Sequence, residues 1–356
     1  MNKLKVLELF AGIGACSKAL ERLGIDYEIV DAVEIDKYAI KSFNAIHNTN
    51  FEPQDICNWD KDVEVDLIMH GSPCQDFSLA GKQAGGDKGS GTRSSLMYET
   101  IRIVEKIRPK YIIWENVKNV LSQKHEHNFY NYLSKMRALG YVNYWQVLNA
   151  KDYGIPQNRE RVFTISILGG GMFEFPPKQE LKLKLKDMLE DEVDEKYYLS
   201  EKTIKTMSKY NENYKPCGII PTLTTELAHS TGKNASPKII KEIEMAKQPR
   251  VIGGIGEKRS NNGQQWYQQD RIYDNAVGLS LSTTAQPYYP DKKSRIRKLS
   301  PKECYLLMGF DDVDFEKVTK LNSDTQLYKQ AGNSIVVNVL EAILNNLLLP
   351  KKDDLD

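Results

Sequence analysis

Cys74 has the sequence context best suited to chemistry. It sits in Gly71-Ser72-Pro73-Cys74-Gln75-Asp76-Phe77-Ser78, directly after the apolar run 66–70. A thiol there lies at the C-terminal edge of an expected parallel strand, where open α/β sheets bind ligands. Pro73 fixes the backbone before it, and the glycine-rich polar run through Gln83 to Arg93 reads as a loop suited to closing over a substrate. A lone cysteine is more often a small buried hydrophobe, so this context carries the nucleophile reading. Glu115, in Trp114-Glu115-Asn116-Val117, ends the next apolar run and would face the same crevice. A carboxyl group there could share a proton with a substrate, although a salt-bridged or capping Glu would look the same in sequence. Arg159 and Arg161, two apart in Gln157-Asn158-Arg159-Glu160-Arg161, would point to one side of a strand. Their guanidinium forks suit a phosphate or a carbonyl oxygen.

A second constellation lies near the N-terminus. Phe10-Ala11-Gly12-Ile13-Gly14 joins a first strand to a helix, and Glu34 follows at the end of the second strand. Glycines in that turn let a ligand approach the backbone, helix N–H groups favour it, and a carboxylate in the Glu34 position suits ribose hydroxyls. Neither GxGxxG nor GxxxxGK[ST] is present, so a nucleoside ligand other than a dinucleotide or nucleoside triphosphate fits. The bland alternative is a tight turn and a surface Glu.

The elements that must position these residues alternate short apolar runs with helical patterns. Strands are expected at 6–10, 27–33, 66–70, 111–115, 144–148 and 161–167, and helices at 16–23, 37–46, 95–107 and 128–139. This is the signal of an α/β fold with a mostly parallel, Rossmann-like sheet. After Gly169-Gly170-Gly171 the texture changes, and Pro176-Pro177 with the charged stretch 178–196 marks a boundary. A helical pattern returns at 301–308, and the long apolar one at 335–349 needs the N-terminal sheet as its partner surface. The expected organisation is therefore a discontinuous first domain over 1–175 and 329–356, which holds the candidate residues above, with a smaller, irregular second domain over 176–328.

The composition fits a globular chain of 356 residues, with 49 Lys plus Arg against 48 Asp plus Glu and a formal charge of +1. Net charge therefore decides nothing about a nucleic-acid partner, and local clusters matter more. The strip 292–302, KKSRIRKLSPK, is one such cluster, read either as a phosphate-gripping segment that includes Arg295 and Arg297 or as a solvated loop. Five cysteines without a CxxC pair suggest neither a disulfide framework nor a thiolate zinc site, and no metal is expected. With no run of 18 apolar residues and no signal-like N-terminus, the expectation is a cytoplasmic protein away from membranes.

Taken in order, FAGIG, Glu34, Asp55-Ile56, GSPCQDFS, ENV, QNRER, RKLSPKEC and QAGNSIVV resemble the motif series of the C5-cytosine DNA methyltransferases. GSPCQ-FS is the most specific of them, and Asp76 departs from the proline that the family commonly has there. The resemblance implies S-adenosylmethionine as cofactor, held by Phe10, Ala11, Gly12, Gly14, Glu34, Ile35, Asp55, Ile56, Pro73 and Asn333. It implies that Cys74 adds to C6 of cytosine, that Glu115 hydrogen-bonds N3 and the exocyclic amine, and that Arg161 holds O2 with Arg159 assisting. Double-stranded DNA would be the partner, with the target base flipped out. Gln83 would fill the vacated space, Arg93, Arg295 and Arg297 would bind DNA, and Ser280-Leu281 would read it. A monomer is implied, either paired with a cognate restriction endonuclease or acting as an orphan or phage-borne enzyme. The same catalytic residues could serve an RNA cytosine methyltransferase, but the long segment before the basic strip favours a domain reading duplex DNA. A silent DNA-binding protein would not need Cys74, Glu115 and Arg161 together, and a nicotinamide enzyme would need GxGxxG.

Overall fold

The computed structural model describes residues 3–73, 93–198, 251–254, 271–273, 278–279, 288–290 and 296–349. The chain divides into two compact units, one of Met1–Leu148, Glu160–Lys178 and Ser334–Asp356, the other of Asn149–Arg159 and Gln179–Asn333. The strands through the first half are β1 (Leu4–Leu9), β2 (Tyr27–Val33), β3 (Leu67–His70), β4 (Tyr111–Val117), β5 (Tyr141–Asn149), the two-residue β6 (Gln157–Asn158) and β7 (Glu160–Leu168).

In the first unit six of these form one sheet in the order β2-β1-β3-β4-β7-β5. β1 pairs in parallel with β2 and β3, β3 pairs in parallel with β4, and β7 runs antiparallel to β4. The chain places β2 on one side of β1 and β3 on the other, which creates a topological switch point. Leu9 lies level with Val33 and His70, and His70 with Trp114, so four strand ends meet at one edge. β3 is buried throughout and β4 is buried from Ile112 to Asn116, because helices cover both faces. That is why 67–69 and 112–114 read as apolar runs without alternation.

The covering helices are α1 (Ala15–Arg22), α2 (Lys37–His47), α3 (Met97–Ile107) and α4 (Glu126–Ala138). Trp114 anchors the core at the sheet's C-terminal edge, stacked with His70 and Phe129 and packed on Tyr132. Burial pushes the His70 imidazole down to about 3, so it stays neutral while its Nε2 lies 3.0 Å from the Tyr132 hydroxyl.

The stretch Asp324–Leu348 is apolar and long enough to cross a membrane by length and composition alone. It is broken at 334–336 into two helices, Asp324–Asn333 and Val337–Leu348. The second packs against α1 and buries Val337, Val339, Leu340, Ile343 and Leu344. Arg22 of α1 completes the contact with an ion pair to Glu341 at 2.9 Å.

The second unit pairs Val251–Gly254 with Arg271–Tyr273 and Tyr288–Pro290 with Ile296–Lys298, both antiparallel, and β6 with Gly278–Leu279 in parallel. Its helices are Pro301–Leu306, Asp312–Thr319 and Asp324–Asn333. Ser300 and Glu303 form a capping box at the first, and Asp311 and Asp314 form one at the second.

The expectation of a DNA contact from Arg297 is corrected here. Its side chain is 4% exposed and pairs in bidentate fashion with the fully buried Glu303, at 2.8 and 2.7 Å. Such a fork matches a carboxylate in plane and leaves the charge no path to a phosphate. Lys302 is likewise engaged, with Asp312 at 2.8 Å. Part of the basic strip therefore holds the fold together.

Candidate active site

The turn after β1 is built on left-handed backbone. Phe10, Gly12 and Gly14 have φ of 54°, 58° and 82°, a region costly for Phe10 and free for glycine. The two glycines have different neighbours. A Cβ on Gly14 would fall 2.1 Å from His47 Nε2, whereas one on Gly12 would meet nothing within 4 Å. Gly14 therefore permits helix packing, and Gly12 keeps an open side where a ligand can reach the backbone. Glu34 braces the turn, its Oε2 accepting from the Gly12 N–H at 3.0 Å and its Oε1 from the Asp36 N–H at 2.8 Å. A carboxylate fixed by amides in this way still offers lone pairs to hydroxyl donors.

Beneath the turn, Glu8 accepts hydrogen bonds from the Ser17 N–H at 3.0 Å and from the Ser17 hydroxyl, tying β1 to the first turn of α1. Burial pushes its carboxyl up to about 7, against the effect of those donors.

Next to Glu34, Ile35 exposes 68% of its surface, while Ile56 is 4% exposed within the core cluster of Leu9, Val33 and Trp59. Of these two isoleucines, Ile35 thus presents its side chain at the surface, whereas Ile56 packs its own into the core. Asp55 accepts from the Cys57 N–H at 3.0 Å, and the Gln54 N–H donates to the Glu34 carbonyl at 2.8 Å, so this loop stands beside the end of β2. An open glycine turn, a braced carboxylate and an exposed isoleucine together fit a nucleoside cofactor.

At the ends of β3 and β4 the geometry is tighter. Glu115 lies opposite Phe163 and Val117 opposite Arg161 in the β4–β7 ladder. Glu115 and Arg161 are thus diagonal neighbours on one face, and Arg161 Nε lies 3.1 Å from Glu115 Oε1, with side-chain exposures of 18% and 11%. Arg161 Nη1 also donates to the Glu160 carbonyl at 2.8 Å. Gly71 lies close beneath the pair, where a Cβ on it would make ordinary van der Waals contact at 3.6 Å from Glu115 Oε2 and 3.5 Å from Ile335.

Two positioning residues had no assigned role in the sequence reading. The buried Ser72 accepts from Trp114 Nε1 at 3.0 Å, and Asn116 Nδ2 donates to the Ser72 carbonyl at 3.3 Å. Together they clamp the Gly71–Pro73 turn to β4, immediately before Cys74. Their signal was available as polar residues on either side of Pro73 and Glu115 in otherwise apolar strand ends.

Cys74, Gln83, Ser280, Leu281 and Arg295 lie outside the described residues, and so does the side chain of Arg93, whose backbone opens the turn Arg93–Leu96. Arg159 and Asn333 belong to the second unit. Arg159 falls in the break between β6 and β7, so strand alternation does not align it with Arg161. It is buried and donates to the Gly332 carbonyl at 3.2 Å, next to Asn333 at the end of the helix Asp324–Asn333.

Comparison with known proteins shows the family to which the chain belongs. A family model described as C-5 cytosine-specific DNA methylase matches residues 4–348. The type II methyltransferase M2.ScrFI of Lactococcus lactis subsp. cremoris is 33% identical, covering 97% of this chain and 99% of its own. The orphan methyltransferase M.SPRI of Bacillus phage SPR is 32% identical, covering 98% of both. Among solved structures, S. pombe Dnmt2 methyltransferase superposes with a TM-score of 0.65 at 19% identity, covering 97% of this chain and 98% of that one, a likeness of fold.

Proposed function

The chain belongs to the C-5 cytosine-specific DNA methylase family and is a DNA cytosine-5 methyltransferase, and from that premise we propose how its own residues divide the reaction. The observation that carries the assignment is the Glu115–Arg161 pair at the sheet edge, beside the clamped turn that leads into Cys74.

C5 of cytosine is a weak nucleophile. Addition of the Cys74 thiolate to C6 converts the ring to an enamine whose C5 can attack an electrophile. Glu115 hydrogen-bonds N3 and the exocyclic amine, so that charge building on the ring is met by a proton. Arg161 orients Glu115 through Nε, and as a five-donor fork it also serves the O2 edge. S-adenosylmethionine, held by the turn after β1 and by Glu34, would supply the methyl group from its sulfonium. The C5–H bond then gives up its proton to a base, the C6–S bond breaks, and Cys74 is returned as thiolate.

The cofactor's residues are Phe10, Ala11, Gly12 and Gly14 in the turn, Glu34 at the ribose, and Ile35, Asp55 and the Ile56 main chain at the adenine, with Pro73 completing the set. Gln83 takes the space left by the flipped base, Ser280-Leu281 read bases, and Arg93 and Arg295 grip phosphates. The acting form is a monomer working on duplex DNA in the cytoplasm, paired in a type II setting with a cognate restriction endonuclease.

The test is covalent trapping. DNA carrying 5-fluorocytosine cannot release a proton from C5, so the wild type should accumulate a complex stable to denaturation, and Cys74→Ser should form none. A Cys74→Ser enzyme with wild-type turnover would sink the assignment.

A further inference from the structure

The loop 54–61, which carries Asp55 and Ile56, is held from two sides. From β2, Asp31 accepts from Gln54 Nε2 at 2.8 Å, from Trp59 Nε1 at 2.7 Å and from Lys61 Nζ at 2.7 Å. Hydrogen bonds from Lys61, Trp59 and Gln54 outweigh the upward push of burial and hold the Asp31 carboxyl below its usual range. From the other side comes α3. Arg102 Nη2 donates to the Ile56 carbonyl and Nη1 to the Trp59 carbonyl, each at 2.9 Å, while Nε is braced by Glu99 at 2.7 Å. One turn further along, Lys106 reaches the Asp60 carbonyl at 3.0 Å.

Neither Arg102 nor Glu99 is part of the chemistry assigned above, and their arrangement has a consequence. Ile56 has its side chain in the core, so what this loop offers a ligand is main chain together with the Asp55 carboxylate. A planar fork that binds two carbonyls three residues apart fixes the path of that main chain, which an ammonium could not do at both points. We propose that Arg102 is the positioning residue of the cofactor's adenine pocket, setting the Asp55–Ile56 backbone through the Ile56 and Trp59 carbonyls. This rests on the reading of that loop as an adenine contact. Arg102 itself touches neither cofactor nor cytosine.

The role predicts a split between cofactor and DNA parameters. Arg102→Ala should raise the Kd and KM for S-adenosylmethionine about tenfold, on the scale of one lost charge-assisted hydrogen bond. The KM for DNA, and kcat at saturating cofactor, should stay within about twofold. Arg102→Lys keeps the charge and the Glu99 partner and should fall between the two, so the test survives if the alanine variant does not fold. Titration calorimetry with S-adenosylmethionine, steady-state kinetics and melting temperature are measured on the full chain, with Asp55→Ala alongside. Weakened cofactor binding in Asp55→Ala together with unchanged binding in both Arg102 variants would overturn the positioning role alone, even if the melting temperature dropped. Unchanged binding in Asp55→Ala would overturn the adenine reading of the loop, and the proposal with it.

Discussion

Glu115 and Arg161 share a mostly dry site, where the opposite charges offset part of each other's cost of burial. Removing one partner of a largely buried pair leaves an uncompensated charge, which costs roughly 3–5 kcal/mol. Arg161→Ala is therefore expected to lower both stability and turnover, whereas Glu115→Gln, which keeps an acceptor for Arg161 but removes the countercharge, should lower stability less and act mainly on chemistry. The amide can still accept from Arg161 but cannot supply the proton that the ring needs. Single-turnover methylation should slow by about 10²–10⁴-fold in Glu115→Gln while cofactor affinity holds within a few-fold. An equal loss in both would place Glu115 at the cofactor instead. Glu115 could be picked out from sequence as the end of a parallel apolar strand, and Arg161 as one of two closely spaced arginines opening the next. Their mutual contact depends on β7 running antiparallel to β4, which no local pattern encodes. Arg297 shows the reverse case, since its basic neighbours suggest phosphate while its partner Glu303 sits one helical turn into a capping box.

At the scale of elements, the turn between β1 and α1 supports two linked predictions. Gly14→Ala adds a Cβ within 2.1 Å of the His47 ring at a φ of 82°, so it should cost about 1–3 kcal/mol in urea unfolding. Gly12→Ala pays only for its φ, roughly 1 kcal/mol, but fills the open side, so it should weaken S-adenosylmethionine binding more than it lowers stability. Glu8 underneath should make stability depend on pH. Its folded carboxyl is pushed up to about 7, so the unfolded chain loses this proton first. The stability from the neutral form is fully present below about pH 4.5 and is lost as pH rises through about 7. Between about pH 5 and pH 8, wild type should lose up to roughly 3 kcal/mol relative to Glu8→Gln, which keeps the acceptor and removes the titration. Parallel pH profiles in urea would refute this. The strands and helices of the first unit were legible because their periodicity is strong and burial on both faces writes it plainly. The helices Asp312–Thr319 and Asp324–Asn333 were not expected, because short charged segments announce themselves only by caps such as Asp311 with Asp314.

Across the whole molecule, two units with separate interiors suggest that chemistry and target choice can be exchanged separately, and the structure indicates where to cut. Residues 179–198 are knitted to the helical part of their own unit. The Glu190 N–H donates to Glu303 at 2.8 Å, its carboxylate accepts from Ser300, and Tyr197 donates to Asp324 at 2.9 Å. Lys196 pairs with Asp324 at 2.8 Å, and Tyr198 bridges to Arg297. A graft over 178–291, which the change in sequence texture alone would suggest, severs these contacts and leaves the buried Arg297–Glu303 pair without its neighbours. One over 199–295 preserves them. With the matching segment of an enzyme of different specificity, the 199–295 chimera should bind S-adenosylmethionine like wild type and melt within a few degrees of it. The 178–291 chimera should melt distinctly lower. Bisulfite sequencing of DNA methylated by the first should show the donor's site, because base-edge contacts decide sequence while phosphate contacts only set orientation. If an active 199–295 chimera still modified the original site, recognition would have to reside in the retained residues, and the second unit's strands would be scaffold alone.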